Sequence, residues 1–191
     1  LIISLIISLA VIMTGCNNIE NLSNSGSMLI VDTITGTDLA GEEGSTTIFS
    51  DVLTGGTVFN DTAVASLRSE VISNLPAQPS IYQDIIVDQI DISYSRADRI
   101  NPIEGKDVPY GFSQKVNLLA PISTNSEYSF ILIQHTAKLE SPLVELISFG
   151  QEKVLKLEAN ITFYGKDTGG KRVAPAKASV SIWCADFGDS D

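Results

Sequence analysis

Strict alternation of apolar and polar residues is the feature of this 191-residue chain that most constrains its fold. In residues 90–95 the even positions are apolar and the odd positions are polar, and residues 112–118, 155–163 and 178–184 show the same alternation. Successive side chains of a β-strand point to opposite faces, so each segment turns one face to a core and the other to water. The alternation therefore predicts an antiparallel β protein.

Weaker strand patterns fill much of the remaining chain. They lie at residues 28–35, 46–49, 57–59, 62–72 and 128–135. The segment at 62–72 also fits a helical stripe through Val64, Leu67 and Val71, but Ala63, Ala65 and Leu67 share one parity. Because the neighbouring segments are strands as well, we interpret it as a strand.

One short helix is expected among these strands. Ser141 can cap a helix whose first residue is Pro142, and Gly150 suits the left-handed position after its end, so the pattern predicts a helix over 142–149. Short strands with one connecting helix are typical of an all-β, antiparallel immunoglobulin-like or fibronectin-like β-sandwich. The cysteine–tryptophan–cysteine signature of antibody domains is absent, since Trp183 adjoins Cys184.

The N-terminal segment has a different character from the β-patterned region. Residues 1–13 are apolar except for Ser4 and Ser8, which is too short a run to span a bilayer but suits the central part of a secretion signal. The residues that follow, Met13-Thr14-Gly15-Cys16, resemble the lipobox of bacterial lipoproteins. The resemblance implies a signal peptide over 1–15 that is removed, and lipidation of Cys16.

The segment after Cys16 predicts a tether. Residues 17–27 are rich in Asn, Ser and Gly and lack helical or strand periodicity, so residues 16–27 form the lipidated cysteine and its flexible lead, and 28–191 form the β-sandwich domain. Asn17 stands where enteric lipoproteins retained in the inner membrane carry Asp. The resemblance thus implies a lipid-anchored protein of the bacterial cell envelope, with the outer membrane favoured over the inner membrane.

Charge restricts the partners of the domain. The formal net charge of −11 is carried wholly by residues 16–191, which disfavours nucleic acid as a partner because phosphate binding needs clustered Lys and Arg. An acidic domain is also repelled by anionic headgroups. We therefore expect membrane contact through the acyl chains on Cys16 and not through a basic face.

Three motifs that suggest chemistry are weak. The sequence from Gly165 to Lys171 has the spacing of a phosphate-binding loop, but Arg172 replaces the metal-binding hydroxyl residue and a strand pattern follows, which favours a hairpin turn.

His135 is the only histidine, so it is interpreted as an exposed residue at a strand end. Cys184 shares the inward parity of its strand and is interpreted as a buried core residue. No catalytic residue and no cofactor are predicted.

Acidic loops offer the remaining candidate sites. The longest irregular segment, residues 96–111, is the best candidate for a functional loop, and its Asp98, Glu104 and Asp107 are weak calcium candidates. Asp38, Glu42 and Glu43 form a second acidic group in a glycine-rich loop. Neither loop has the spacing of an EF-hand, and a solvated acidic surface is the favoured interpretation.

Two classes of function follow from these observations. The first is a non-catalytic, lipid-anchored binding or structural module that presents loops or a strand edge to another envelope protein or a glycan. The alternative is a small-ligand (glycan) binding protein or a hydrolase whose site is assembled from separate loops. A deep pocket lined by His135 or by convergent carboxylates would favour the alternative.

Overall fold

The computed structural model describes residues 25–37, 42–72, 80–98 and 101–188. Cys16, the signal segment and most of the tether lie outside the described residues, as does Asp38. The strands are β1 (Ser27–Thr37), β2 (Glu43–Ser45), β3 (Thr47–Asp51), β4 (Asp61–Val71), β5 (Ile85–Arg96), β6 (Phe112–Ala120), β7 (Ser126–Ile133), β8 (Leu155–Asp167) and β9 (Ala176–Ala185). Within these described ranges, one short α-helix, α1, spans His135–Lys138, and 3-10 turns cover Ile81–Gln83, Val144–Ser148 and Gly150–Glu152.

The strands form two sheets, with the orders β2-β1-β4-β7 and β3-β9-β8-β5-β6. This order divides the strands as an immunoglobulin-type domain does, so the predicted all-β sandwich is confirmed. One pair differs from the antiparallel expectation, because β3 runs parallel to β9 and places Ile48 opposite Ile182. The chain crosses from the first sheet to the edge of the second after β2, and β3 then runs in the same direction as β9.

The core lies between the sheets and is built from the inward parity of the long strands. In β5 and β8 the inward residues are almost fully buried, as for Ile90 and Ile161, and Phe130 of β7 packs edge-on against Phe163 at 5.9 Å between ring centroids. Each large apolar side chain buried in this way contributes about 1.5–3 kcal/mol of hydrophobic stabilisation. The alternating residues of β6 are only half-buried, because β6 is the outer strand of its sheet.

The structure corrects two local predictions and confirms a third. Residues 62–72 form a strand, as expected. Residues 57–59 do not, because Gly55 and Gly56 adopt positive φ and Thr54 pairs with Thr57 in a tight turn.

The predicted helix over 142–149 is a 3-10 turn over Val144–Ser148, and the α-helix lies earlier in the chain. The Ser141 hydroxyl donates to the Glu145 carboxylate at 2.7 Å and makes no cap, since Leu143 is the residue before the turn. Gly150 has a positive φ of 54°, as its predicted position requires.

The two ends of the sandwich differ, and we name them for their contents. The "entry end" holds Gly26, where the described chain enters β1, together with Ile72, residues 80–84, 121–125 and the β8–β9 hairpin at 168–175. The "loop end" holds residues 52–60, 97–98, 101–111, 134–154 and 186–188, and so contains α1 and the described part of the long loop. Because β1 runs from one end to the other, everything at the loop end lies a full strand length from Gly26.

Candidate functional site

A buried ion pair lies at the loop end. The Lys138 side chain is only 1% exposed, and its Nζ donates to Oδ1 of Asp61 at 2.7 Å and to the backbone oxygen of Asp51 at 2.6 Å. Lys138 is the last residue of α1, Asp61 the first of β4, and Asp51 the last of β3. One ammonium group therefore ties the helix to both sheets.

The Asp61 carboxylate has a partner on each oxygen. Oδ2 accepts a hydrogen bond from the Ser50 hydroxyl at 2.5 Å, while Oδ1 accepts from Lys138. Burial raises the pKa of the Asp61 carboxyl, and the Lys138 charge and the Ser50 hydrogen bond act against this rise. In the part of the chain that the structure describes, no buried side-chain nitrogen or oxygen lacks a hydrogen-bond partner, as a stable buried ionic cluster requires.

Two further titratable groups lie buried beside this pair. Cys184 is fully buried, and this burial raises the pKa of its thiol to about 12, so the thiol stays protonated at neutral pH. The Tyr94 hydroxyl donates to the backbone oxygen of Leu132 at 2.7 Å, and burial raises its pKa as well. The interpretation of Cys184 as an inert core residue is confirmed.

The cluster is built to hold the fold together. Its cation and carboxylate neutralise each other, and the Lys138 donors point at fixed acceptors and not at solvent. A buried pair of this kind gives little net stability compared with apolar packing, but it leaves an uncompensated charge when one partner is removed. The sequence did not reveal it, because Lys138 and Asp61 are 77 residues apart and lie outside the four strict alternations.

His135 is the first residue of α1, since β7 ends at Ile133, and not the strand-end residue that was predicted. Its backbone N–H donates to Oδ1 of Asn60 at 2.6 Å, and its ring Nδ1 lies 3.1 Å from the same oxygen. The Asn60 side chain therefore satisfies a backbone N–H group at the start of the helix. This is the role that the side chain of the residue directly before a helix has in an ordinary N-cap. The imidazole is exposed and serves as part of this contact.

The carboxylates of the long loop do not form a metal site. Asp98 pairs with Arg96, while Oδ2 of Asp107 accepts the N–H of Ile103 at 2.9 Å and Oε1 of Glu104 accepts the N–H of Gly111 at 3.4 Å. The described residues hold no group of three or more His, Cys, Asp or Glu side chains that could hold a metal ion. The weak calcium candidates Asp98, Glu104 and Asp107 are thus engaged by local partners, and they shape the loop.

Shallow open grooves flank the helical segment of the loop end. One is lined by Tyr110, Gln134, Thr136 and Glu140, among others, and runs between the long loop and α1. The second is lined by charged residues of both signs, namely Arg96, Lys106, Asp107, Glu145 and Lys153. Neither groove is lined by His135, but the second brings the carboxylates of Asp107 and Glu145 to one surface.

The segment with phosphate-loop spacing is a hairpin turn, as expected. Strand β8 continues to Asp167, whose Oδ1 accepts the N–H of Lys171 at 2.8 Å, and Gly170 has a φ of 86°. A side chain on Gly165 would stand 2.7 Å from the backbone oxygen of Ile86, so this glycine allows β8 and β5 to approach closely.

Comparison with known proteins assigns no family. No protein-family model matches the chain, and no curated protein does, so no enzyme family is found for it. Within the described ranges, no helix combines the length and apolar character that crossing a bilayer demands.

Proposed function

We propose that the protein is a lipid-anchored component of the bacterial cell envelope, in the outer membrane in preference to the inner one, and that its domain is a non-catalytic binding or structural module. Lipidation of Cys16 rests on the lipobox resemblance of residues 13–16. The assignment of the domain as a binding or structural module rests on the difference between the two ends of the sandwich. The chain enters at one end, and the long loop, α1 and two grooves lie at the other.

The difference between the two ends gives an anchored domain a defined orientation relative to the membrane. Strand β1 has 11 residues, and a strand advances about 3.3 Å per residue, so the loop end stands about 36 Å from Gly26. Residues 17–24, whose sequence predicts a flexible tether, would add an average reach of about 14–17 Å. An anchor at Cys16 therefore presents the loop end away from the headgroups, where another envelope protein or a glycan can reach it.

The strand edges support presentation by loops over pairing by strands. At the lateral side formed by β6 and β7, the Gln114 side chain donates to the backbone oxygen of Ile131 at 2.8 Å and accepts from its N–H at 3.3 Å. The Tyr128 hydroxyl donates to the backbone oxygen of Leu119 at 2.7 Å. These side chains occupy backbone N–H and C=O groups at the sheet edges, to which an added strand would have to form hydrogen bonds.

The anchor is tested by Cys16→Ala in the full chain. We expect this variant to leave the membrane fraction and to lose acyl labelling, while the parent retains both. Acyl labelling that persists in Cys16→Ala would show that the lipoprotein assignment is wrong.

The loop end is tested by co-purification from solubilised envelope. We expect a partner recovered with the parent chain to be lost from a Lys106→Glu/Lys153→Glu variant, since both residues line the charged groove. The control is Lys156→Glu/Lys177→Glu, which makes the same charge change on the outer face of the second sheet. Equal recovery with the parent and the groove variant would contradict the role of the loop end.

One observation favours the alternative, a small-ligand (glycan) binding protein or a hydrolase with a loop-assembled site. The charged groove brings Arg96 and Lys106 close to Asp107 and Glu145, and such mixed donors and acceptors suit sugar hydroxyls. Thermal unfolding in the presence of soluble envelope glycans tests it. A rise in Tm for the parent that is absent from Lys106→Glu/Lys153→Glu would support the alternative.

A further inference from the structure

Large apolar side chains are exposed at the entry end. Ile72 is 52% exposed, Ile81 73% and Tyr82 69%. Ile81 and Tyr82 belong to a 3-10 turn that is held by a capping box, in which the Ser80 N–H donates to Oε1 of Gln83 at 2.8 Å and the Tyr82 N–H donates to the Ser80 hydroxyl at 3.4 Å. The turn therefore holds both apolar side chains outward in a fixed geometry.

Hydrogen bonds attach both this turn and the start of the described chain to the end of β4. The N–H of Ile72 donates to the backbone oxygen of Gly26 at 2.9 Å, and the Ser69 hydroxyl donates to the backbone oxygen of Gln83 at 2.6 Å. The apolar turn thus lies at the same end of the sandwich as Gly26.

The same turn also contacts the β8–β9 hairpin. The Thr168 N–H donates to the backbone oxygen of Asp84 at 2.9 Å, and its hydroxyl donates to the backbone oxygen of Ile81. We name the combined surface of Ile72, Ile81, Tyr82, Lys171 and Arg172 the "entry surface".

The hairpin is basic in a chain that is strongly acidic. Residues 166–177 carry four of the 12 basic residues of the chain, namely Lys166, Lys171, Arg172 and Lys177, against a single acid, Asp167. Asp167 is buried and binds the turn backbone, whereas Lys171 and Arg172 are exposed at the tip. The entry end therefore carries a local basic cluster that the net charge of the chain does not reveal.

We infer that the entry surface is a second membrane contact, which docks on a phospholipid bilayer with anionic headgroups; the inference rests on the proposed anchor at Cys16. Tyr82 and Ile81 would lie at the level of the headgroups, where amphipathic aromatic side chains concentrate, and Lys171 and Arg172 would face the phosphates. The eight residues between Cys16 and Ser25, whose sequence predicts a flexible tether, would keep this surface within about 17 Å of the bilayer on average. A basic patch adds to attachment through acyl chains, since each basic residue at an anionic membrane surface contributes about 1 kcal/mol.

The first experiment uses the full, lipidated chain in vesicles of phosphatidylethanolamine and phosphatidylglycerol. A polarity-sensitive fluorophore is attached to Tyr82→Cys, and the matched control carries it at Phe149→Cys, an exposed position of the loop end. The native Cys184 does not compete for the label, since it is fully buried. We expect a blue-shifted spectrum and protection from an aqueous quencher at position 82 alone. Equal quenching at both positions, in protein whose acylation is verified by mass, overturns the inference and leaves the anchor intact.

The second experiment does not depend on lipidation. Cys16→Ala protein is mixed with phosphatidylglycerol vesicles, and Lys171→Glu/Arg172→Glu is compared with Lys106→Glu/Lys153→Glu, which changes the net charge equally at the loop end. Loss of the attraction of two basic residues at a membrane surface corresponds to about 30-fold weaker binding, and repulsion of the two introduced glutamates adds to this loss. We expect this loss for the entry-end pair and a change below about twofold for the loop-end pair, which is too remote for a screened charge to act. An equal effect of both pairs, or none from either, overturns the inference.

Discussion

The two ends of this sandwich use charge in opposite ways. At the loop end, Lys138 and Asp61 are withdrawn from water and neutralise each other, and burial keeps the Cys184 thiol protonated. At the entry end, Lys171 and Arg172 are exposed at a hairpin tip. A buried charge must find a partner inside the fold, whereas an exposed charge is free to act on a partner outside it. We therefore expect substitutions in the buried cluster of the loop end to change stability, and substitutions of the exposed residues of the entry end to change binding.

The largest effect is expected from Lys138→Met. This change leaves the Asp61 carboxylate buried beside Ser50 without its cation, which costs about 3–5 kcal/mol of unfolding free energy. Denaturant unfolding measures the loss, with Lys106→Met as a control that removes an exposed charge. A further Asp61→Leu change should restore much of the stability, because an apolar pair replaces the ionic one. A loss below about 1 kcal/mol would show that the pair is not desolvated in solution.

The next effect concerns alkaline pH. The unfolded thiol ionises near pH 8.5, whereas the folded Cys184 thiol has a pKa of about 12, so the unfolded chain loses its proton first. The stability contributed by the protonated thiol is therefore fully present below pH 8.5 and is lost as the pH rises toward 12. By pH 10 the loss amounts to about 2 kcal/mol. Unfolding between pH 7 and 10 measures it, and Cys184→Ala should lack this part of the pH dependence; identical profiles would disprove it.

A smaller effect is expected where α1 begins. Asn60→Ala removes the acceptor of the His135 N–H, and loss of a helix cap costs about 1 kcal/mol. Denaturant unfolding is again the measurement. Asn60→Asp keeps an acceptor oxygen at the same place and should retain most of the stability, so an equal loss in both variants would argue against capping.

The smallest effect on stability is expected at the entry end. Ile81→Ser and Tyr82→Ser remove exposed side chains, so each should change the unfolding free energy by no more than about 0.5 kcal/mol. Both should still weaken vesicle binding by the Cys16→Ala chain. A large loss of stability from either change would mean that these side chains pack against the domain, and the contrast between the two ends would then fail.

Local regularity explains which parts of the fold could be predicted. Strands β5, β8 and β9 were found because a two-residue period over many positions has one interpretation. The predicted helix over 142–149 does not form as an α-helix, because the Ser141 hydroxyl donates to the Glu145 carboxylate and does not cap a helix. The predicted strand at 57–59 is not formed, because Gly55 and Gly56 adopt the positive φ of a reversal that pairs Thr54 with Thr57.

The sequence by itself determined the alternation that makes two sheets, the inward parity of Cys184, the hairpin at 165–171 and the lipobox resemblance at Cys16. Each of these features depends only on residues that are close together in the chain. Tertiary structure alone decided that β3 joins β9 in parallel, that Lys138 meets Asp61, and that Ile81 lies beside a basic hairpin. These are contacts between residues far apart in the chain. Packing of the sheets sets them, and the sheets bring together side chains whose local sequence carries no sign of the partner.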